Sequence, residues 1–283
     1  MAEQTAARSN NPYQDDDGRP HLRDSAVVWL DILGFQDALT EARAQGDEQR
    51  VLETLAGALK DLVPQMKPSH VYPDEPPPWV VKAFTDNFVV GLPVDGEGRP
   101  EVGIRIVLDR VARFQLELAK EGFFVRGAPS VGPLYMDEHL VYGSALIEAY
   151  EAETKRARDP RVILTPSART VVDGKALGSP TGDRIPPEHA PLWQDVDDEL
   201  FVNYLFRIVE LERDMGYPDT ETFVHHGDVL KRKLAAYMKQ PVKWAKYAWV
   251  ARYHNTFLDL RPDFPEDSRI AVGQLAGRVR PYP

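Results

Sequence analysis

Several features are missing from this 283-residue sequence, and each absence excludes a class of protein. There is no cysteine, which excludes disulfides, thiolate nucleophiles and cysteine metal centres. No apolar run approaches the roughly 18 residues that a membrane-spanning helix needs. Residues 1–23 are polar and lack the apolar core of a secretory leader, so we expect a cytoplasmic protein.

Basic residues are fewer than acidic residues. The chain has 34 Lys and Arg residues against 44 Asp and Glu residues, which gives a formal net charge of −10. An acidic surface repels the phosphate backbone of nucleic acids and argues against nonspecific binding to it. Hydrophobic residues make up 43% of the chain, enough to build a core. We therefore expect a globular protein that binds neither nucleic acid nor a membrane.

The apolar periodicity predicts an alternation of strands and helices. Strands are predicted at 26–33, 123–134, 161–165 and 200–206, with a hairpin over 80–91 that turns near Thr85. Helices are predicted through Leu62 and over 101–120, 144–158, 221–238 and 241–258. A stiff linker is predicted at 73–78, and residues 167–199 carry little pattern.

This order predicts an α/β (α+β) fold with a ferredoxin-like β-α-β-β-α-β core and a helical C-terminal extension. The predicted organisation is a flexible tail at 1–23, one domain at 24–206 and the extension at 207–283, packed on the core or on a dimer partner. In that extension Trp244, Tyr247 and Trp249 form an aromatic stripe that is expected to pack there.

Two short apolar strands each carry an acidic residue where a core residue is expected. Asp31 interrupts the strand that starts at Val27, and Asp86 interrupts the hairpin that starts at Val80. Burying a carboxylate costs several kcal/mol unless it is paired or bound to a cation. Two carboxylates in neighbouring strands therefore suggest a shared divalent metal ion. The alternative is a strand-end cap at Asp31 and an ordinary turn residue at Asp86.

Three segments together resemble the class III nucleotidyl cyclases. They are LDILGF at 30–35, KAFTD at 82–86 and RGAPSVG at 126–132. Within that family the chain is most similar to the Pycsar antiphage cyclases, which make cyclic UMP or cyclic CMP. This closer resemblance extends to GSALIEAY at 143–150, FVNYL at 201–205 and YHN at 253–255.

The resemblance implies a metal and phosphate site in the class III cyclase core. Asp31 and Asp86 would be the catalytic aspartates that bridge two Mn²⁺ or Mg²⁺ ions, with the Ile32 carbonyl as a backbone ligand. Gly34 and Phe35 lie where a strand turns into a helix, and exposed N–H groups there suit a triphosphate. The fork of the Arg126 guanidinium would bind the β- and γ-phosphates.

The resemblance also implies a base site, in which Lys82 and Leu140 are candidate base-binding residues. The position of Leu140 is usually polar in purine cyclases, which weakens any case for ATP or GTP. The alternative for Lys82 is a solvated lysine on an edge strand. The asparagine and arginine of purine cyclases fall on Ile147 and Glu151, so no transition-state arginine is identified. Nearby basic residues are interpreted as a solvated face rather than substitutes: Lys155, Arg156, Arg158 and Arg161.

The family builds two symmetric sites at the interface of a homodimer. The aspartates and Arg126 would come from one subunit, and Lys82 with the helix after Gly143 from the other. The implied reaction converts UTP, ahead of CTP, into a 3′,5′-cyclic nucleotide and pyrophosphate. The product would be a second messenger in antiphage defence, read by a separate effector. The alternatives are a cytidylate cyclase and a catalytically silent nucleotide sensor.

The histidines near the C-terminus are weaker candidates for a site. Side chains of adjacent helical residues diverge by about 100°, so His225 and His226 are not expected to share a metal ion. His254 and Asn255 are expected to pin the last helix rather than to act in catalysis.

Overall fold

The computed structural model describes residues 11–15, 17–62, 80–94, 99–174, 185–210, 212, 216–272 and 280–281. The predicted linker at 73–78 lies outside these residues. The strands are β1 (Arg23–Leu33), β2 (Val80–Phe84), β3 (Asn87–Pro93), β4 (Phe124–Met136), β5 (Val141–Tyr142), β6 (Leu192–Gln194), β7 (Leu200–Val202) and β8 (Arg280–Pro281). The helices are α1 (Phe35–Gln45), α2 (Glu48–Leu62), α3 (Pro100–Lys120), α4 (Ser144–Lys155), α5 (Pro166–Gly174), α6 (Phe206–Glu210), α7 (Thr220–Ala236) and α8 (Pro241–Leu260).

The main sheet has the strand order β2-β3-β1-β4-β5. Strand β1 lies between β3 and β4 and pairs with both in the antiparallel sense. The hairpin of β2 and β3 turns at Thr85 and Asp86. This is the strand order of a ferredoxin-like fold, so the predicted core and α/β class are confirmed.

Alternation along β1 separates the two faces of the main sheet. Ala26, Val28, Leu30 and Ile32 belong to the large hydrophobic core, which also contains buried residues of α3, α7 and α8. Because residues at every second position share a face, Asp31 lies on the opposite face from Ile32. On that opposite face, cross-strand contacts form a second, smaller core: Val27, Val89, Leu134, Met136 and Ala145, with Tyr13 from the N-terminal segment.

The described part of the N-terminal segment packs against this second face. Tyr13 is fully buried, and its hydroxyl donates to Ser25 Oγ at 3.1 Å. The side-chain amide of Asn11 donates to the Met136 carbonyl at 3.0 Å. The segment around Asn11 and Tyr13 is therefore anchored to the sheet, although it belongs to the flexible tail predicted over 1–23.

The segment predicted as a strand at 161–165 makes only isolated bridges. Val162 pairs in parallel with Gly127, and Ile163 pairs in antiparallel with Phe201. The strand predicted at 200–206 divides into β7 and the start of α6. The sequence pattern also missed α5 and β6, because short elements of nine and three residues carry too few periodic positions to be recognised.

The C-terminal helices share the core of the sheet domain. Tyr247, Trp249, Tyr253 and Phe257 of α8 are all buried in the large hydrophobic core. Trp244 packs against the same core while partly exposed. The predicted packing of the aromatic stripe on the core is thus confirmed. Among the described residues, no helix combines the length and apolar character that crossing a membrane requires.

A buried hydrogen-bond chain joins α7 to α8. Tyr204 Oη lies 2.9 Å from His226 Nε2, and His226 Nδ1 lies 3.0 Å from His254 Nδ1. His254 Nε2 lies 3.2 Å from the Ser268 carbonyl, which can only accept. His254 therefore carries its proton on Nε2 and accepts at Nδ1 from His226, so Tyr204 donates to His226. With both imidazoles neutral, each of these three hydrogen bonds has one donor and one acceptor.

Asn255 ties the following segment to α8 as well. Its side-chain amide donates to the Ile270 carbonyl at 2.9 Å, and its oxygen accepts from the Ile270 amide at 3.0 Å. Together with the contact of His254, these bonds agree with the predicted role of this pair in pinning the last helix.

Candidate functional site

The β2–β3 turn brings Asp86 beside the end of β1. Asp31 lies opposite Asn87 in the register, and the Ile32 amide donates to the Asp86 carbonyl at 2.9 Å. Asp86 Oδ1 accepts from Thr85 Oγ1 at 2.7 Å and from Asn87 Nδ2 at 3.0 Å. The two aspartates predicted from separate motifs therefore meet at one corner of the sheet.

Arg126 occupies the same cross-strand row on the other side of β1. It lies opposite Asp31 in the register of β1 and β4. Its Nε donates to Asp31 Oδ2 at 2.8 Å, and the Asp31 side chain is 16% exposed. The structure thus brings together Asp31, Asp86 and Arg126, which belong to three motifs that are distant in sequence.

A second carboxylate, from Glu153 of α4, faces the same guanidinium. Glu153 Oε1 lies 2.8 Å from Arg126 Nε, yet this nitrogen has one hydrogen, which points at Asp31. The Glu153 side chain is 5% exposed, and Oε1 has no hydrogen-bond partner among the described residues. Burial raises the pKa of the Glu153 carboxyl, Arg126 works against the rise, and Asp31 adds to it.

Sequence reasoning missed Glu153, although a signal was present. Ala145 and Ala149 are buried on α4, and Glu153 continues their spacing of four residues on the same helix face. A carboxylate on the buried face of a helix requires a cationic partner. That partner is Arg126, which the structure identifies and the spacing on α4 does not.

The strand–helix turn predicted for phosphate binding begins helix α1. Gly34 has φ +72°, a left-handed conformation that strains any residue with a side chain, and it is the N-cap of α1. Phe35 is buried as the first helical residue. The Ala38 amide donates to the Gly34 carbonyl at 3.1 Å, which is the first hydrogen bond of the helix. The amides before Ala38 have no partner within the helix and can donate to a ligand.

Helix α8 covers the start of α1. Lys243 Nζ lies 2.5 Å from Asp37 Oδ2 in the first turn of α1. A Cβ at Gly34 would lie 3.6 Å from the Tyr247 hydroxyl. The C-terminal extension therefore reaches the candidate site, which sequence analysis did not predict.

The two predicted base-binding residues lie apart from Asp31. Lys82 pairs with Val89, which pairs with Trp29, so Lys82 lies two cross-strand rows from the row of Asp31. Leu140 is 52% exposed and follows the far end of β4, whereas Arg126 is the third residue of this 13-residue strand. Within one chain, Leu140 therefore lies beyond the end of β4 that is remote from Arg126.

The basic residues near α4 are not one solvated face. Arg161 is 1% exposed and forms ion pairs with Asp195 and Asp197, so its prediction as a solvated residue is wrong. A guanidinium with two carboxylate partners and a packed Trp249 ring is stabilised in the interior. Lys155 agrees with the prediction, because it is exposed and pairs with Glu151 at 3.0 Å.

Comparison with known proteins gives structural likeness at a low level. No protein-family model and no curated protein matches the sequence. Similar solved structures include a class III adenylyl cyclase-like ATP-binding protein from Pseudomonas aeruginosa, 13% identical over 53% of this chain, with a TM-score of 0.40. This match spans about a third of that protein, 35% of its chain.

Another similar structure is the adenylyl cyclase CyaB from P. aeruginosa. It is 10% identical over 64% of this chain and 94% of that chain, with a TM-score of 0.43. Likeness at this level says nothing about activity. The functional argument therefore rests on the residues of this chain.

The oxygen atoms at the corner suit a hard divalent cation. The hydrogen bonds described above engage Oδ2 of Asp31 and Oδ1 of Asp86, which leaves one oxygen of each carboxylate for a ligand. The amide and carbonyl of one strand residue point to the same side, so the Ile32 carbonyl also faces the turn. No group of three or more His, Cys, Asp or Glu side chains converges anywhere in the described ranges. Two carboxylates are nevertheless sufficient for Mg²⁺, which retains waters and takes substrate phosphates as ligands.

Proposed function

We propose that this chain is a nucleotidyl cyclase that converts UTP into 3′,5′-cyclic UMP and pyrophosphate. The observation that carries the proposal is the convergence of Asp31, the Asp86 turn and Arg126 at one corner of a ferredoxin-like sheet. Asp31 and Arg126 are 95 residues apart in sequence and 2.8 Å apart in space. Motifs with unrelated structural roles would have no reason to meet in this way.

Cyclisation requires the ribose 3′ hydroxyl to attack the α-phosphate in line while pyrophosphate leaves. Two divalent ions, when bound, stabilise the charge on the attacking and leaving oxygens. Asp31 and Asp86 would hold these ions, with the Ile32 carbonyl as a further ligand. The first-turn amides of α1 after Gly34 would donate to the phosphates.

Arg126 would change partners when the site fills. Its Nε–H is bonded to Asp31, and a cation at Asp31 competes for the same oxygen. The guanidinium would then be free to donate in two parallel bonds to a phosphate. Glu153, at 2.8 Å, would keep it anchored at the site during that exchange.

A second copy of the chain would complete the site. Large apolar side chains are exposed along β2, β5, α4 and the loop before β5: Phe84, Leu140, Tyr142, Ile147 and Tyr150. Aromatic side chains are enriched in protein–protein interfaces, so these exposed residues are the candidates for contacts between two copies of the chain. A two-fold dimer would deliver Lys82 and Leu140 of the partner to the base.

The apolar character of Leu140 favours a pyrimidine, because a purine base would lack the polar partner that purine cyclases offer it. The cyclic nucleotide would serve as a messenger to a separate effector in antiphage defence, as the resemblance implies.

The test is cyclase activity of aspartate variants with UTP and Mn²⁺. Asp31→Asn and Asp86→Asn each remove a metal-binding charge without changing volume, and each should lower cyclic UMP formation at least about 100-fold. Asp228→Asn is the matched control, because Asp228 is half-exposed on α7 and pairs with Lys231. Retention of activity in either site variant would refute the metal assignment.

A further inference from the structure

Helix α8 presents Lys246 to the candidate site from a fixed position. Lys243 pairs with Asp37 at 2.5 Å, and the Tyr247 hydroxyl lies beside Gly34. Residues three apart on a helix are neighbours on one face, so Lys246 lies one turn after Lys243 on the side of α8 that contacts α1. The face of α8 that carries Lys246 is therefore held against the start of α1.

The charges around Lys246 are those of the candidate site. Its ammonium is partly buried, and burial lowers its pKa. Arg126 lowers this pKa further, while Asp159, Asp31 and Glu153 raise it, so all four charges act on Lys246. Lys246 makes no ion pair with any of the described residues.

A partly desolvated ammonium without a close counter-ion is unfavourable. Arg126 has Asp31 and Glu153 within 2.8 Å, whereas Lys246 has no carboxylate at that distance among the described residues. An anion placed between α1, β1 and α8 would satisfy Lys246, Arg126 and the first-turn amides of α1 together. The phosphate groups of a nucleotide have this chemistry.

We propose that Lys246 binds the triphosphate of the nucleotide, which makes helix α8 of the C-terminal extension a working part of the site. This inference rests on the proposed function. Lys246 supplies the second cation of the phosphate site, beside Arg126. Its ammonium is a compact point charge, which suits a mobile β- or γ-phosphate better than a fixed bidentate contact.

A purely structural role for Lys246 makes a different prediction. A lysine that only offsets the charges of Asp31 and Glu153 would, when removed, lower stability and leave phosphate affinity unchanged. A phosphate-binding lysine would lower affinity when removed. Binding and stability measured on the same variants therefore separate the two roles.

The experiment is calorimetric titration of the full chain with tripolyphosphate and Mg²⁺, a ligand that cannot be cyclised. Lys246→Ala should raise the Kd about 10- to 100-fold, the range expected for a lost charge-assisted contact. Lys246→Arg keeps the charge and should stay within about threefold of the wild type. Lys231→Ala is the matched control, because Lys231 is partly exposed on α7, pairs with Asp228 and should bind as the wild type does.

Thermal unfolding of each variant shows whether its fold is intact, and Lys246→Gln replaces Lys246→Ala if the alanine variant does not fold. Affinity within twofold of the wild type in the folded variant, or no binding of tripolyphosphate by the wild type, would overturn the inference. Cyclic nucleotide formation is scored separately. A cyclase whose Lys246→Ala variant binds normally would refute the role of Lys246 alone. A chain that binds tripolyphosphate through Lys246 but forms no cyclic nucleotide would refute the proposed function alone.

Discussion

The buried histidine pair should make the protein lose stability as the pH falls below about 6.5. His254 is fully buried and its pKa is lowered from 6.5 to about 3, chiefly by burial. Burial also lowers the pKa of His226 well below 6.5, and His254 lowers it further. Both imidazoles are thus neutral in the folded chain, and the unfolded chain binds protons first as the pH falls.

The sign and size follow from proton linkage. The pKa of His254 is lower in the folded chain than in the unfolded chain. Its contribution to the unfolding free energy is therefore complete above pH 6.5, the unfolded pKa, and is lost progressively as the pH falls below that value. At pH 5, about 1.5 units lower, His254 alone should cost about 2 kcal/mol of unfolding free energy, at about 1.4 kcal/mol per unit. His226 adds a loss in the same direction, so the total exceeds that of one histidine.

The assay is urea unfolding at pH 7.5, 6 and 5, in wild type and His254→Phe. The phenylalanine stacks where the imidazole stacks on Phe223, but it cannot bind a proton. It leaves His226 Nδ1 and the Ser268 carbonyl without partners, so the variant should be less stable at pH 7.5 and less sensitive to pH. His21→Asn is the control and should keep the slope of the wild type, because His21 is exposed and lies in the N-terminal segment, far along the chain from the histidine pair. Equal slopes in wild type and His254→Phe would refute the reasoning.

Three further changes test the site, the sheet and the dimer. Glu153→Gln removes the charge that anchors the guanidinium and should lower kcat/KM for UTP about tenfold, mainly through KM. The control Glu117→Gln, on α3 and paired with Lys120, should leave kcat/KM unchanged. Gly127→Ala places a Cβ 2.3 Å from a backbone carbonyl of β1 and should lower the unfolding free energy by about 1–3 kcal/mol in a urea titration, whereas Gly57→Ala in open space should not. Ile147→Glu should convert a dimer to monomers in analytical ultracentrifugation and abolish activity, while the monomers keep the circular dichroism spectrum of a folded chain, because this side chain is 59% exposed.

Each of these predictions has a contradicting result. An unchanged KM in Glu153→Gln would show that the carboxylate does not position the guanidinium. Wild-type stability of Gly127→Ala would mean that β1 and β4 yield at this contact without cost. A monomeric wild type that still forms cyclic nucleotide would contradict the shared site.

Much of the fold was predictable because the core strands carry strong alternation. In β1, Ala26, Val28, Leu30 and Ile32 define the buried face, and the order of strands and helices then leaves one ferredoxin-like arrangement. Asp31 stood out because it interrupts that apolar strand. The convergence of Asp31, Asp86 and Arg126 is a consequence of register, which brings separate motifs to one end of the sheet.

The features of the fold and site that the sequence analysis missed depend on contacts between elements that are distant in sequence. Lys246 lies more than 200 residues after Asp31, and its polar surroundings follow only from the packing of α8 on α1. The burial of Arg161 likewise depends on Asp195 and Asp197 in a loop without a periodic pattern. The N-terminal segment is held by the aromatic side chain of Tyr13, and a single residue forms no periodic pattern in the sequence.

The most direct test of the proposed cyclase is to incubate the purified chain with ATP, GTP, CTP or UTP, each with Mn²⁺, and to identify the products by mass spectrometry. The proposed function predicts a cyclic pyrimidine nucleotide and pyrophosphate, with UTP ahead of CTP as the substrate. Cyclic CMP would keep the mechanism and change the base, and cyclic AMP or cyclic GMP would overturn the pyrimidine argument. No cyclic product from any nucleotide, by a chain that binds both metal and nucleotide, would contradict the account.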